Sequence, residues 1–515
     1  MYKLFLCWRY LLTRYIALAS VVSVMLGVAT MIVVNAVMVG FTSEMKDRIH
    51  GILADVIFQT YDMNKGFPDY EWHRAEIFRV AGDLIEELTP TVATKGMLVY
   101  RVDGTGSLAT FEVDIVGVDV LTQGKVSKIA EYLQHPENRT NLSFDLRGDG
   151  YDVQKGDGPI RTKMQYAGWD YRRFRARWEK ELNAQKNPPV SPVPNEENDL
   201  PYRDPFANLS KPESTVFDPA VEQHTGVIVG IGTSLYRRTN EIDSETGKKI
   251  VMDDLMLIPG DDVMLSCLAA GLPPRFVSDS FTVVELYESK MVEYDRKLVF
   301  VPIAKLQYLR GMFDVDTNAP MITQILIKAK PGVDIDVLRN RLKLSFSDQT
   351  YSIKTWRDEQ ADLLNAIFTE LAMLNVLLFL IFAVAGFGIL AIFYMIVVEK
   401  QKDIGILKAL GAGSGGIMQI FLYYSLLLGI VGAALGLGLG LLIVKYIKEV
   451  AYVLSFILQR DVFSPEVYSF YEIPTVVDTL TVVGIIAGAV FIAVVAGVLP
   501  AIRAARVHPV ETLRS

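Results

Sequence analysis

The sequence predicts an integral membrane protein in which four spanning helices accompany one large α+β domain. Two observations carry this prediction. Four stretches contain no charged residue, and each exceeds the ~20 apolar residues that cross the ~30 Å hydrocarbon core of a bilayer. These stretches are Tyr15–Ser43, Leu371–Val398, Ala409–Val444 and Thr479–Ile502. The long charged segment between the first and second stretch instead carries strand and helix patterns, so one span precedes this domain and three follow it.

Basic residues indicate how the spans are oriented, because lysine and arginine are enriched in cytoplasmic loops. Three clusters flank the spans: Lys3, Arg9 and Arg14; Lys400, Lys402 and Lys408; and Arg503, Arg506 and Arg514. With four spans, all three clusters lie on the same side of the membrane. The sequence therefore predicts that both termini are cytoplasmic and that the α+β domain is extracytoplasmic.

These patterns set the predicted boundaries of each segment. They are a cytoplasmic N-terminus (1–15), a first span (16–43), the extracytoplasmic domain (44–364), a second span (365–398), a cytoplasmic connector (399–416), a third span (417–444), an outer loop (445–477), a fourth span (478–502) and a cytoplasmic tail (503–515).

Within the domain, alternating apolar residues predict strands, and apolar residues three or four apart predict helices. The predicted strands are Ile49–Gln59, Phe111–Val118, Val227–Ile231, Asp262–Cys267, Phe281–Leu286, Leu298–Val301 and Thr323–Ala329. The predicted helices are Glu71–Leu88, with Ile77, Val80, Ile85 and Leu88 as its buried stripe, and Ile335–Leu344.

An insertion from about Asn138 to Gln223 interrupts the domain. Its stretch Pro188–Pro219 holds eight prolines among polar residues, and such a composition buries too little apolar surface to fold alone. We therefore predict that the insertion is partly disordered. Ahead of the prolines, Tyr171–Trp178 interleaves arginines with aromatic residues, a pattern typical either of a solvated amphipathic helix or of a helix that contacts a lipid surface.

Enzyme chemistry finds no support in the sequence motifs. The chain contains no phosphate-binding GxxxxGK[ST] loop and no HExxH, CxxC or GxSxG motif, and it has only five histidines. Asp314, Asp316 and Asn318 resemble the start of a calcium loop, but Ala319 replaces the glycine and Ile325 the glutamate that such a loop needs. The sequence thus predicts no catalytic or metal site, and a net charge of −8 disfavours nucleic-acid binding.

Glycines spaced four apart predict close helix packing inside the membrane. Gly432, Gly436 and Gly440 form two overlapping GxxxG steps, and Gly484 and Gly488 form another. Such steps let two helix backbones approach closely where lipid offers no hydrophobic driving force.

The connector between the second and third spans is short, charged and amphipathic. If its residues Glu399–Ala412 form a helix, Ile404, Leu407 and Leu410 share an apolar face, while Lys402, Asp403 and Lys408 meet water or a partner. Gly411 and Gly413 then end the helix. A stiff helix here would be a suitable lever for a cytoplasmic motor, although a simple interfacial helix would show the same pattern. The predicted motor-coupling residues are Glu399, Lys402, Asp403, Ile404, Gly405, Leu407, Lys408, Leu410 and Gly411.

Several segments together resemble one family. The connector resembles the coupling segment of the FtsX/MacB superfamily of permeases. Other segments resemble its lipoprotein-releasing (LolC/LolE-type) branch: Val37–Phe41 followed by Glu44–Leu53, Asp114–Asp119 with Lys125-Val-Ser, Phe281–Met312, Tyr351–Gln360, Phe463–Pro474, and Leu499–Arg506 with His508, Pro509 and Leu513. The resemblance reaches nearly every part of the chain except the insertion.

This resemblance implies a permease subunit of an ABC transporter in the bacterial inner membrane, with a domain of the MacB-like periplasmic core type. Its partners would be cytoplasmic ATPase subunits, which bind ATP and Mg²⁺, and a second copy or paralogue of the permease. This chain itself would hold no cofactor. The implied cargo is a lipoprotein, taken from the outer leaflet and passed to a periplasmic carrier.

The resemblance also implies two further sites. A lipid-accepting cavity would lie between the first two spans, and we assign to it Val34, Val37, Met38, Phe41, Leu371, Leu374 and Leu378. A carrier-docking hook would correspond to Pro273, Pro274 and Arg275 in the short hairpin Cys267–Ser278. Two other functions remain open: a MacB-like efflux permease, and an FtsX-like scaffold that transmits ATPase motion to a cell-wall hydrolase without transporting anything.

Overall fold

A computed structural model describes residues 15–102, 107–155, 158–186, 217–242, 249–271, 273–458 and 473–506. The chain divides into two compact units. The membrane unit comprises Met1–Asp47 and Gln360–Ser515, and the α+β domain comprises Arg48–Glu359.

The described helices and strands are numbered in chain order. The helices are α1 (Tyr15–Ile52), α2 (Tyr70–Ala81), α3 (Val120–Val126), α4 (Pro136–Thr140), α5 (Trp169–Lys186), α6 (Ile231–Ser234), α7 (Val292–Lys297), α8 (Ile303–Arg310), α9 (Ile335–Ser345), α10 (Trp356–Glu359), α11 (Ala361–Glu399), α12 (Gln401–Ala409), α13 (Ser414–Lys445), α14 (Ile447–Leu458) and α15 (Thr479–Arg506). The strands are β1 (Val56–Thr60), β2 (Ile85–Arg101), β3 (Leu108–Val118), β4 (Thr225–Gly230), β5 (Leu235–Ile242), β6 (Lys249–Leu255), β7 (Asp262–Leu268), β8 (Phe276–Tyr287), β9 (Leu298–Pro302), β10 (Gln324–Ala329) and β11 (Tyr351–Thr355).

Four of the described helices are long and apolar enough to cross a membrane. They correspond to Leu18–Ile52, Ala361–Glu399, Ser414–Lys445 and Thr479–Arg506. Their inner faces meet in one apolar cluster formed by Val24 and Val28 of α1, Phe393 of α11, Leu428 of α13 and Ala493 of α15. These helices extend past several predicted limits; α1, for example, continues to Ile52 rather than ending near residue 43.

The first half of the α+β domain is a split βαβ arrangement. Strands β11, β1, β10 and β2 lie side by side in that order, and each neighbouring pair is antiparallel. Helices α2 and α9 cover one face of this sheet, where Ile77 and Leu338 pack against Phe58 and Ile325. This is the ferredoxin-like strand order.

The second half of the domain closes on itself as a small barrel. Strand β2 is followed by β3, β9, β4, β8 and β7, and β7 then pairs with β2 through Gly96–Val99. Closure leaves the barrel without a free edge. Leu98, Leu265 and Val283 lie in its buried interior. The 17-residue strand β2 therefore belongs to both halves of the domain.

Two predicted elements of the domain need correction. The strand predicted at Ile49–Gln59 begins only at Val56, because the helix from the membrane continues to Ile52. The helix predicted at Glu71–Leu88 ends at Ala81, and Ile85 already belongs to β2. The apolar residues of β2 continue the helical spacing of α2, so the sequence pattern does not show where the helix ends and the strand begins. The other predicted elements fall on observed strands and on α9.

The insertion is narrower than the predicted span from Asn138. Leu142, Phe144 and Leu146 are buried against β4 and β8 residues, and Tyr151 and Met164 belong to the barrel core. These residues are therefore part of the domain. Most of the predicted disordered stretch Pro188–Pro219 lies outside the described residues.

The arginine-rich segment lies in α5, and its arginines do not all face water. Arg172 is buried; it donates to the Gly260 carbonyl at 3.0 Å and to Asp262 at 2.7 Å. Arg173 is half exposed and pairs with Asp170 within the same helix. The solvated-helix interpretation thus holds for Arg173 but is wrong for Arg172, whose contacts come from residues distant in sequence.

Candidate functional site

The connector is a distinct helix, α12, set between α11 and α13. Lys400 is the single residue between α11 and α12. At the other end Gly411 adopts the left-handed conformation, with φ of 95°. The Gly411 N–H donates to Lys408 O and the Ala412 N–H to Leu407 O, both at 3.0 Å. This is a Schellman motif, which satisfies the last helical carbonyls and reverses the chain toward α13.

One side of α12 is fixed to the ends of the membrane helices. Ile404 is only 4% exposed and packs with Ile417, Phe421 and Ala501. The Lys408 ammonium donates to the Ala505 carbonyl at 2.6 Å, in the last turn of α15. A cation is favourable there because unpaired carbonyls give a helix C-terminus partial negative charge.

The other side of α12 exposes apolar side chains. Ile406 is 48% exposed, Leu407 41% and Leu410 81%. Of the three residues in the predicted apolar face, Ile404 is buried, whereas Leu407 and Leu410 are exposed. Each step of three residues turns the helix by about 300°, so Leu410 points about 120° away from Ile404. The remaining predicted coupling residues lie nearby: Glu399 ends α11, Lys402 is exposed, Asp403 pairs with Lys400 at 2.6 Å, and Gly405 is buried.

The glycine ridge of α13 packs against α1. A Cβ atom on Gly432 would lie 2.7 Å from Val24 Cβ, and one on Gly436 would lie 2.7 Å from Met25 O. Gly440 is nearly as close, 3.1 Å from Ile32 Cβ by the same measure. From Gly432 to Gly440, a little over two helical turns, the two backbones approach so closely that no side chain fits between them.

Gly484 and Gly488 do not pack in this way. No described atom lies within 4 Å of a Cβ placed on either residue. Within the chain, α15 instead contacts α13 at Ala493. A Cβ atom added to Gly429 of α13 would lie 3.0 Å from the Cβ of Ala493. Among the described residues, no other helix of the chain packs against this second GxxxG step, so close helix packing at Gly484 and Gly488 stays a prediction.

The residues assigned to a lipid cavity lie on two neighbouring helices. Gly27 of α1 contacts Phe382 of α11, and further along Lys46 lies 4.8 Å from the ring centre of Phe368. The assigned residues fall between these two contacts. Val34, Val37, Met38, Phe41, Leu371 and Leu374 are half-buried, whereas Leu378 is buried.

The residues assigned to the hook lie at the end of the β7–β8 hairpin. Leu268 and Phe276 form its last strand pair, and the Ala269 N–H donates to the Arg275 carbonyl at 2.8 Å. Pro273, Pro274 and Arg275 are all exposed. The tip is thus free for contact, but it extends only a few residues beyond the strands.

One cluster that the sequence analysis missed joins the two ends of the α+β domain. His50 stacks on Trp356 with ring centres 5.3 Å apart, and it also hydrogen-bonds Asp55. Trp356 N–H donates to Asp55 O at 3.2 Å. Burial opposes ionisation of Asp55, but bonds from His50 and the Ala329 N–H lower its pKa below the ordinary value. Only the pairing of β1 with β11 brings these residues together, and local sequence carries no signal of it.

No group of three or more His, Cys, Asp or Glu side chains is placed to hold a metal ion within the part of the chain that the structure describes. The features described above, the connector α12, the neighbouring faces of α1 and α11 and the tip of the β7–β8 hairpin, are surfaces that a partner could contact.

Comparison with known proteins shows which families this chain resembles. Residues 375–509 match the FtsX-like permease C-terminal family. The lipoprotein-releasing system transmembrane protein LolC of Xylella fastidiosa (strain Temecula1) is 28% identical over 244 residues, which cover 47% of this chain and 57% of that protein. LolC of Neisseria meningitidis serogroup B is 28% identical over 308 residues, 58% of this chain and 67% of that protein. The macrolide export ATP-binding/permease protein MacB of Neisseria gonorrhoeae is 27% identical over 188 residues, 36% of this chain and 24% of that protein.

The chain is thus a multi-pass membrane protein with an α+β domain and an FtsX-like permease domain. Together, the domain match and the LolC relatives support its place among the LolC/LolE-type ABC permeases of the FtsX/MacB superfamily, as the sequence resemblance predicted.

Proposed function

We propose that this chain is the permease subunit of an ABC transporter that releases lipoproteins from the inner membrane to a periplasmic carrier. ATP hydrolysis takes place on separate cytoplasmic ATPase subunits, which bind ATP and Mg²⁺. A second permease copy or paralogue completes the membrane part. In this arrangement both termini are cytoplasmic, one span precedes the α+β domain and three follow it.

The observation that carries the proposal is the two-sided connector α12. Ile404 and Lys408 fasten it to the ends of α11, α13 and α15. Ile406, Leu407 and Leu410 face away from the bundle. Exposed apolar side chains next to charged ones are typical of protein–protein contact surfaces. An ATPase subunit bound to this side would move α12, and α12 would move three membrane helices at once.

Lipoprotein entry is proposed to take place between α1 and α11. Val37, Phe41, Leu371 and Leu374 are neither fully buried nor fully exposed. Apolar side chains of this kind suit acyl chains that must bind and then leave again, because partial burial leaves room for a ligand without opening a polar surface to lipid.

Leu410→Asp tests the connector, and Leu344→Asp is a matched control. Both leucines are more than four-fifths exposed, 81% and 89%, so neither change empties a core. Proteoliposomes containing the permease and its ATPase partner are assayed for ATP hydrolysis and for release of a lipoprotein to its soluble carrier. We expect Leu410→Asp to abolish release while ATPase binding or stimulation falls, and Leu344→Asp to leave both unchanged. Normal release by Leu410→Asp would exclude the connector as the ATPase contact.

The match to a MacB relative favours one alternative, an efflux permease for a periplasmic peptide or small molecule. The two functions separate on depletion of the protein followed by membrane fractionation. Lipoproteins retained in the inner membrane support release, whereas normal lipoprotein sorting with increased sensitivity to a toxic compound supports efflux.

A further inference from the structure

The segment between α13 and α15 contains a helix, α14, where the sequence predicted only an outer loop. A single residue, Tyr446, separates α14 from α13. The helix is strongly amphipathic. Its apolar face is formed by Ile447, Val450, Val453, Leu454, Ile457 and Leu458, and Lys448 and Glu449 lie on the other side.

The apolar face of α14 is not covered by the part of the chain that the structure describes. Val453 is 55% exposed, Ile457 67% and Leu458 52%. Apolar surface of this extent is unfavourable in water, because its transfer out of water stabilises a protein in proportion to its area. The face therefore requires an apolar environment.

The length of α13 places α14 at the edge of the bilayer. With 32 residues, α13 is about 48 Å long, close to the ~40–45 Å thickness of a bilayer with its headgroups. Just before α15, a second candidate span, the Val476 N–H donates to the Ala36 carbonyl at 3.0 Å. Ala36 lies one turn of α1 from Ile32, against which Gly440 of α13 packs, so α15 begins at the end of the bundle where α13 finishes. Both ends of this segment are thus held at the level of the lipid headgroups.

We propose that α14 lies in the membrane interface, with its apolar face among the acyl chains and its polar face in the headgroup layer. Lys445 and Tyr446 support this position, since the Lys445 ammonium lies 5.6 Å from the Tyr446 ring centre and both residue types favour the interface. Short amphipathic helices with lysine on the polar face bind membranes in this way. The partner is bilayer lipid, and the inference requires only that α13 and α15 cross the membrane, whatever the permease transports.

Site-directed spin labelling of the full chain in lipid nanodiscs tests this position. Cys7→Ser removes one of the two cysteines, and Cys267 is buried. Single labels are then placed on the apolar face by Val453→Cys or Ile457→Cys, and on the polar face by Lys448→Cys or Glu449→Cys. Collision rates are measured with oxygen, which concentrates in lipid, and with a water-soluble nickel chelate.

We expect labels at Val453 and Ile457 to show a several-fold higher ratio of oxygen to nickel collisions than labels at Lys448 and Glu449. Equal nickel access on both faces would overturn the proposal, because the helix would then project into water. Protection of Val453 and Ile457 from both reagents, with spin–spin broadening between copies, would also overturn it and would assign the face to a second copy of the chain.

Discussion

The α1–α13 contact gives the sharpest test of how the membrane unit is packed, through Gly436→Ala compared with Gly438→Ala. Gly436 is buried, and its added Cβ would lie 2.7 Å from both Met25 O and Val28 Cβ. Favourable carbon–carbon contacts begin near ~3.5 Å, so the two helices must separate by close to an ångström. A Cβ on Gly438, two residues away in the same helix, meets no described atom within 4 Å.

The expected free-energy difference follows from these distances. Forcing an extra carbon into a packed contact costs about 1–3 kcal/mol. Replacing glycine by alanine inside a helix stabilises the helix by up to about 1 kcal/mol, and this stabilisation is the same in both variants. Gly436→Ala should therefore be about 1–3 kcal/mol less stable than Gly438→Ala, a difference set by the clash alone. Equilibrium unfolding of the full chain in dilute mixed micelles with rising dodecyl sulfate measures it. Equal stabilities would refute the α1–α13 packing.

Three further predictions concern the α+β domain. Arg172→Met should destabilise it by about 2–3 kcal/mol, because it removes the hydrogen bonds of a buried guanidinium to the Gly260 carbonyl and to Asp262. Arg173→Met, at an exposed pair, should cost under about 1 kcal/mol, and hydrogen exchange of the full chain separates the two. Burial raises the pKa of Glu285 to about 7 from the usual 4.5, so between these pH values the carboxyl is protonated in the folded state but ionised in the unfolded state. The stability of the domain should therefore fall by up to about 3 kcal/mol as the pH rises from 4.5 to 7. Glu285→Gln should flatten this pH dependence, and an unchanged slope in the variant would contradict the assignment. Replacing residues 188–216 with a short Gly/Ser linker should leave the domain folded, as judged by protease resistance, because the proline-rich, polar composition of that stretch buries too little apolar surface to form part of a core.

Four helices that are long and apolar enough to cross a membrane lie where the four charge-free stretches were found, because the signal for such helices is local. A charge-free apolar run of more than twenty residues forms a membrane-spanning helix in nearly any context, so the rest of the chain has little influence on it. The same is true of strands such as β3 and β10, where alternation is intact over the whole element. In contrast, β2 contains Pro90 and Gly96, two residues that typically interrupt strands, so its 17-residue length was hidden.

The candidate site was only partly predictable for a related reason. The sequence identifies α12 as amphipathic and places its end at Gly411. Which of its apolar residues are buried depends on where the ends of α13 and α15 lie, and those positions are tertiary. The insertion shows the same limit: Leu142 and Phe144 look like loop residues beside a proline-rich stretch until β4 and β8 supply the surface that buries them.

The domain's topology bears directly on how a motion of the membrane helices would reach the β7–β8 hairpin. The chain enters the domain at β1 and leaves it at β11, and these two strands are antiparallel neighbours. Where β1 begins and β11 ends, His50 hydrogen-bonds Asp55 and stacks on Trp356. From this sheet, β2 continues into the barrel with backbone pairing to β10 in its first half and to β3 and β7 in its second. The two halves therefore share one hydrogen-bonded strand, β2, rather than a flexible linker, and neither can rotate far without breaking several backbone hydrogen bonds. A displacement at the entry strands would thus move the barrel and its hairpin as one body, which is the mechanical property that the proposed permease requires.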